Sequence, residues 1–290
     1  MFGKTMLIII SVLALAVLSC SFTVNLPDTG FKTGPTTTDE INVSYPASAG
    51  DVAELTLEFG AGELNIEPGI GEDLVAGTAK YNVDELKPVV NTNGNQVTIS
   101  TGDMEFSGIP DFRGDKYVNE WKFELGSAPL DLLIKAGAYK GEIELGGLSL
   151  ASLKVTDGAA DVNLSFSEPN LVEMKTLRYE TGASSVRLEG LANANFDQMI
   201  FKAGAGSYVL DFSGELLRDA TVNIDAGLSN VEIIVPDGVS ARVLVDRGLA
   251  NVDITGDWEK SGDDYELAGE GPRLTINVNI GAGNLELRNR

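Results

Sequence analysis

Eight segments of this chain can be laid over one another on a glycine: Gly60, Gly137, Gly158, Gly182, Gly204, Gly227, Gly248 and Gly281. Five residues before each stand Leu55, Leu132, Leu153, Leu177, Met199, Val222, Val243 and Ile276. Three before stand Leu57, Ile134, Val155, Tyr179, Phe201, Ile224, Val245 and Val278. Six after stand Ile66, Ile143, Leu164, Leu188, Leu210, Ile233, Ile254 and Leu287. Four after, only Gly141 departs from the apolar rule, and the residue after each glycine is Ala or Leu. From Gly137 to Gly248 the glycines are 21 to 24 residues apart. A fixed period of this size is the mark of a solenoid, in which each repeat buries its apolar face only by stacking on its neighbours.

The alternation around each glycine has a period of two, so the repeat is made of strands. Positions −5, −3 and +1 share a parity, whereas +4 and +6 are out of step with them. An odd step between inward positions requires a bend. The expectation is a column of rung corners, with glycine supplying the dihedral freedom of a sharp turn and the Ala or Leu beside it pointing inward. No helix follows any of these glycines, which sets them apart from phosphate-cradling loops.

Upstream, Leu74 to Tyr81 alternates, and Val89-Val90 and Val97 to Ile99 flank an Asn93-Gly94 turn. Met104 to Lys116 reads as a loop, and Trp121, Phe123 and Leu125 resume the alternation. The fold class is all-β: an N-terminal β domain over 41–125, followed by a parallel β-solenoid over 126–290 with rungs of 21–24 residues and Gly-Ala/Leu corners. The longer last interval contains Trp258 and Tyr265 around Ser261-Gly262-Asp263-Asp264. It reads as a projecting hairpin near 256–270. Its aromatics form either a contact surface or, as we expect, a cover over an edge of the stack.

The first residues, MFGKTMLIIISVLALAVLSC, carry a short positive segment at Lys4 and an apolar run from Met6 to Leu18. The run has the length of a secretory signal and is short for a membrane span. Its end, Val17-Leu18-Ser19-Cys20, resembles the lipobox of bacterial lipoproteins, with Val17 an accepted variant of the preferred Leu. That resemblance implies cleavage of a signal peptide over 1–19 and lipidation of Cys20. The diacylglyceryl anchor so implied, in effect a palmitate-type modification, carries at least two acyl chains, enough for stable attachment. Cys20 is the sole Cys, so one chain has no internal disulfide. Residues 20–40, rich in Thr, Gly and Pro, read as a lipid-anchored flexible tether, and about 20 residues of flexible coil span roughly 25 Å.

Forty-three Asp and Glu oppose 21 Lys and Arg, a formal charge of −22, and His is absent. So acidic a chain is a poor partner for nucleic acid. Without His, and with its Cys used as an anchor, the chain lacks Ser–His–Asp, Cys–His and His-based metal chemistry. No catalytic residue, cofactor site or metal site is assigned. The acids weighed are Glu232 with Asp253, as a neighbouring carboxylate pair on an exposed face, and Asp157 and Asp263-Asp264 as calcium candidates lacking any calcium-loop spacing.

The run LEFGAGELNIEPG, then LVAGTAKYN, WKFELG and PLDLLIKAGAYKGEIELGGLSLASLKV with its stacked Gly-Ala rungs, resembles the bacterial toast-rack domain proteins. The solenoid is also distantly similar to the C-terminal region of the cell-wall-active-antibiotic response proteins. The resemblance implies an exported β-rich fold and supplies no catalytic residues. The expectation is a non-enzymatic cell-envelope lipoprotein that faces outside the cytoplasm, held to the membrane by Cys20. It would present a rigid surface to an envelope protein or glycan. The alternative is a polysaccharide-acting β-helix enzyme using carboxylates on one solenoid face.

Overall fold

A computed structural model describes residues 33–46, 52–101 and 117–290. The signal segment, Cys20 and the loop read over Met104 to Lys116 lie outside these. The described residues form fifteen strands and two 3-10 turns, at Asp84–Leu86 and Leu191–Ala194. The strands are β1 (Thr37–Ser44), β2 (Ala53–Pro68), β3 (Asp73–Tyr81), β4 (Pro88–Asn93), β5 (Gln96–Thr101), β6 (Asn119–Leu125), β7 (Leu130–Glu144), β8 (Leu150–Ser165), β9 (Met174–Glu189), β10 (Phe196–Asp211), β11 (Ala220–Val235), β12 (Val239–Thr255), β13 (Glu259–Ser261), β14 (Asp264–Leu267) and β15 (Glu270–Asn289). β1 begins at Thr37, inside the segment read as tether, and sets Ile41 and Val43 into the core.

The eight glycine-centred segments are the eight long strands. Each has a first arm before the glycine and a second arm after it. The arms pair in parallel with the same register from rung to rung: Leu57 lies beside Ile134, Ile134 beside Val155, and Phe201 beside Ile224. The arms of β2 go to different partners on its other side. Glu54–Glu58 pairs with β5, and Glu63–Pro68 with β6. Positions −5, −3, +4 and +6 fill the core, and Leu57, Phe201 and Leu287 are almost wholly hidden. Each such side chain contributes about 1.5–3 kcal/mol by leaving water.

The corner differs in two ways from its sequence reading. First, the residue after the glycine turns outward in most rungs: Leu228 is 62% and Leu249 is 89% exposed. The inward run continues through position −1 and resumes after the corner, so the bend spans the glycine and its successor. Second, none of the eight corner glycines has a positive φ. Close stacking requires glycine instead at five of them, Gly137, Gly182, Gly204, Gly227 and Gly248. A Cβ on Gly182 would lie 2.4 Å from the carbonyl oxygen of Gly158, and one on Gly204 would lie 2.6 Å from that of Gly182. Backbone freedom is needed two residues after the corner in β2 and β15, at Gly62 (φ 133°) and Gly283 (φ 124°).

The rungs do not stack in chain order at the end. β15 lies between β11 and β12. Both strands fit the column pattern, but β15 carries Ile276, Val278, Ile280, Leu285 and Leu287, all at most 2% exposed. β12 has Arg247 at the inward position −1. A charged side chain there is tolerated at the last rung, where it reaches Asp263 of the hairpin at 3.1 Å. The β13–β14 hairpin lies antiparallel on the first arm of β12 and buries Tyr265 and Trp258. It covers an edge of the stack, as expected of it.

The turns joining successive rungs are held by asparagines. Asn170 donates to the carbonyls of Leu150 at 2.8 Å and Val172 at 2.7 Å, and accepts from the Leu150 N–H at 2.8 Å. Asn195, at a left-handed φ of 55°, donates to Val172.

Candidate functional site

The outward columns carry the chain's chemistry. Two before each corner, β2 and β7 place Glu58 and Lys135 in an ion pair of 2.9 Å. Along the same column, β10, β11, β15 and β12 present Lys202, Asp225, Asn279 and Asp246, each beside the next. Asn279 donates to Asp225 at 2.7 Å. Four before the corner, Asn277 donates to Asn223 at 3.0 Å. These rows and the turn of the β13–β14 hairpin enclose an outward groove of 620 Å³. Its floor includes Ile200 and Leu244, and Ser261, Asp263 and Asp264 form the hairpin wall.

The wall acids are held by arginines. Arg242 grips Asp264 with Nε and a terminal nitrogen, at 3.1 and 2.6 Å, and lowers the carboxyl pKa of Asp264 through that hydrogen bond. Arg247 reaches Asp263. Among the described residues no cation reaches Asp246. The groove therefore offers carboxylate and amide groups one rung apart over an aliphatic floor. Such a row matches hydroxyl or ammonium groups repeated along an extended ligand.

The carboxylate pair weighed from the sequence is not a pair. β15 sets Glu286 between Glu232 and Asp253. Arg288 then bridges Glu232 at 3.2 Å and Glu286 at 2.7 Å. The sequence placed these acids on neighbouring rungs because chain order was taken for stacking order.

Asp157 is not a surface acid either. It points inward from position −1 of β8 and is 7% exposed. Tyr179 donates to its Oδ2 at 2.7 Å, Tyr139 approaches the same oxygen at 3.4 Å, and Thr181 donates to Oδ1. Thr181 also bonds Ser184 at 2.6 Å, and the Ala160 N–H donates to the Ser184 hydroxyl at 3.0 Å. Burial raises the Asp157 pKa against the lowering pull of these hydroxyl donors. Burial, reinforced by the charge of Asp157, likewise raises both tyrosines. The cluster joins three rungs from within, and its side chains are buried. No sequence motif marks it, because its members come from different column positions and meet only through the register. Among the described residues, no three His, Cys, Asp or Glu side chains gather to hold a metal ion.

Residues 32–176 match the family described as the N-terminal domain of toast_rack, DUF2154. The chain belongs to the toast-rack family. The match runs from the entering segment through β2, β7 and β8 into β9, so the toast-rack region includes the start of the regular ladder. The toast-rack chain is similar to a crystal structure from Clostridium sporogenes provisionally named a cell adhesion protein. The identity is 18%, the match covers 88% of this chain and 100% of that one, and the TM-score is 0.47. A Parabacteroides merdae structure provisionally named an adhesin matches at 12% identity, covers 88% of this chain and 98% of that one, and has a TM-score of 0.37. A Parabacteroides distasonis structure provisionally named a lipid-binding protein matches at 13% identity, covers 87% and 97%, and has a TM-score of 0.32. No curated protein matches the sequence.

Proposed function

We propose that this toast-rack chain is a non-enzymatic lipoprotein of the bacterial cell envelope that faces outside the cytoplasm. Cys20 carries the anchor, the segment before β1 tethers it, and the ladder presents its outward face to a glycan or protein of the envelope. The observation that carries the reading is the groove between Lys202, Asp246 and the hairpin wall. It offers hydrogen-bonding groups at rung spacing, with Asp225 accepting from Asn279 and Asp264 held by Arg242, while Asp246 stands exposed at the end of the row.

The test has two arms. Wild type and Cys20→Ala are expressed in a bacterial host, fractionated, and their N-terminal peptides weighed. The anchor requires an acylated Cys20 peptide and release of the variant from membranes; equal retention of both overturns it. The mature protein is then titrated with purified envelope polysaccharide. Binding that weakens in Asp246→Lys supports the groove, and the appearance of new reducing ends replaces the non-enzymatic reading with a hydrolytic one.

A further inference from the structure

The two ends of the ladder are finished differently. At the β2 end both arms are covered. The first arm is followed by β5 and β4, and the second by β6, β3 and β1. At the β12 end only the first arm is covered, where β14 pairs with Ala241–Leu244 and the Val245 N–H reaches the Asp263 carbonyl at 2.9 Å. The second arm, Leu249–Thr255, pairs with β15 on one side. Among the described residues no strand pairs with its other side.

The side chains record the missing neighbour. Six after the corner, the residue is at most 2% exposed in the seven other rungs, but Ile254 is 36% exposed. Val252 is half-buried where Val231 and Leu285 are hidden. Leu249, at the start of the arm, stands out at 89%. Proteins guard such edges with charged side chains, Lys above all, with Pro, a bulge or an inward charge. Between Leu249 and Thr255 there is no Pro, Lys, bulge or inward charge, and the one charged residue is the outward Asp253.

Charge selects the occupant. Asp253 ends an outward column that runs Glu232, Glu286, Asp253. Arg288 serves the first two, and among the described residues Asp253 receives only the amide of Asn251, at 3.0 Å. The next position in this column calls for a cation. A second copy of the chain, at −22, would bring its own acidic column to the same place.

We propose that the open arm of β12 is a docking edge for an extended segment of another protein, which adds a strand beside Leu249–Thr255. Its alternate apolar residues cover Val252 and Ile254, and a Lys or Arg stands beside Asp253. Backbone bonds along the edge give affinity, and the side-chain alternation gives selectivity. Seven residues at about 3.3 Å each span the arm. This proposal stands whether or not Cys20 is lipidated.

The test uses the mature chain and two synthetic peptides, Thr-Val-Lys-Val-Lys-Ile-Thr and its twin with Glu for both Lys. Binding is followed by calorimetry, and amide hydrogen exchange locates it. The expected result is fast exchange at the unpaired amides of Leu249–Thr255 in the free protein, slowed by the Lys peptide. The Glu twin should bind about fivefold more weakly, as expected for gain or loss of an exposed charge pair. Asp253→Lys, a surface change outside the core, should reverse that order. Four results overturn the proposal: no binding by either peptide, equal binding of both, protection elsewhere, or slow exchange at these amides before any peptide is added. The last result, with a monomeric mass by light scattering, would assign the edge to the chain's own segments; with a dimeric mass it would assign the edge to a second copy.

Discussion

The glycine column makes a graded prediction that separates close stacking from backbone freedom. A Cβ on Gly182 meets the Gly158 carbonyl oxygen at 2.4 Å, whereas one on Gly281 meets the Gly227 oxygen at 3.2 Å. Both glycines lie outside the positive-φ region, so alanine is admissible to the backbone at each. Alanine also restricts the unfolded chain, which favours the variant by about 0.4–1 kcal/mol at a compatible site. At Gly281 a shift of a few tenths of an ångström removes the conflict, and the two effects nearly cancel. At Gly182 the gap to close is larger by 0.8 Å, the difference between the two contacts. The obstacle is a backbone oxygen fixed in the ladder, which cannot swing aside like a side chain. Overpacking of this kind costs about 1–3 kcal/mol. Gly182→Ala should therefore be less stable than Gly281→Ala by about 2 kcal/mol, which for a domain of this size corresponds to about 4–8 °C in Tm. Thermal unfolding of both variants, followed by circular dichroism beside wild type, reads the difference. Equal melting temperatures, or a lower one for Gly281→Ala, would refute the stacking argument.

Two buried or half-buried acids should give opposite pH dependences. Burial raises the folded pKa of Asp157, so its favourable contribution is full below the unfolded value of about 3.9 and is lost as pH rises through the raised folded value. Wild type should gain stability relative to Asp157→Asn as pH falls from about 7 toward about 4, read from urea midpoints. Glu144 is the reverse. Burial pushes its pKa up, but donors on Ser165, Ser167 and Gly146 outweigh that and lower it. Its contribution is present above the unfolded value of about 4.3 and is lost as pH falls through the lowered folded value, so wild type should lose ground to Glu144→Gln on acidification. Asn170→Ala strands the N–H and carbonyl of Leu150 and the carbonyl of Val172. It should cost about 1–3 kcal/mol in denaturant unfolding, and a loss below half of that would show the turn to be held by other contacts.

The all-β class, the rungs and six of the eight places in the stack were legible because the alternation repeats column by column. Leu55, Leu132 and Leu153 announce one another at sight. The order of the last two rungs was not legible, since β12 and β15 both satisfy the columns. Arg247 was the available clue: an Arg among inward positions belongs to a rung with an open side. The corner was half legible. Parity placed the bend, but the need for glycine was assigned to dihedral freedom, whereas the nearest atom lies one rung away and more than twenty residues distant in sequence. Asp157 was illegible for the same reason. Tyr139, Tyr179 and Thr181 stand 18, 22 and 24 residues from it, and only the register brings their hydroxyls to one carboxylate.

The placement of β15 has a consequence for where the molecule can be engaged. In chain order β12 would be an interior rung. Its second arm would then be covered, and Asp246 would lie inside the outward column instead of at its end. Because the chain passes β12, turns through the β13–β14 hairpin and returns one rung earlier, a weaker rung with Arg247, Val252 and Ile254 is left outermost. The same detour raises the hairpin wall that turns a flat face into a groove. Both features therefore come from one topological step at the end of the ladder opposite β1, where the chain enters. With eight rungs about 4.8 Å apart, that end stands roughly 35 Å from β2, and β6, β3 and β1 extend the sheet beyond β2 on the entering side. A tether at the β1 end would thus hold the groove and the open arm away from whatever it is fixed to.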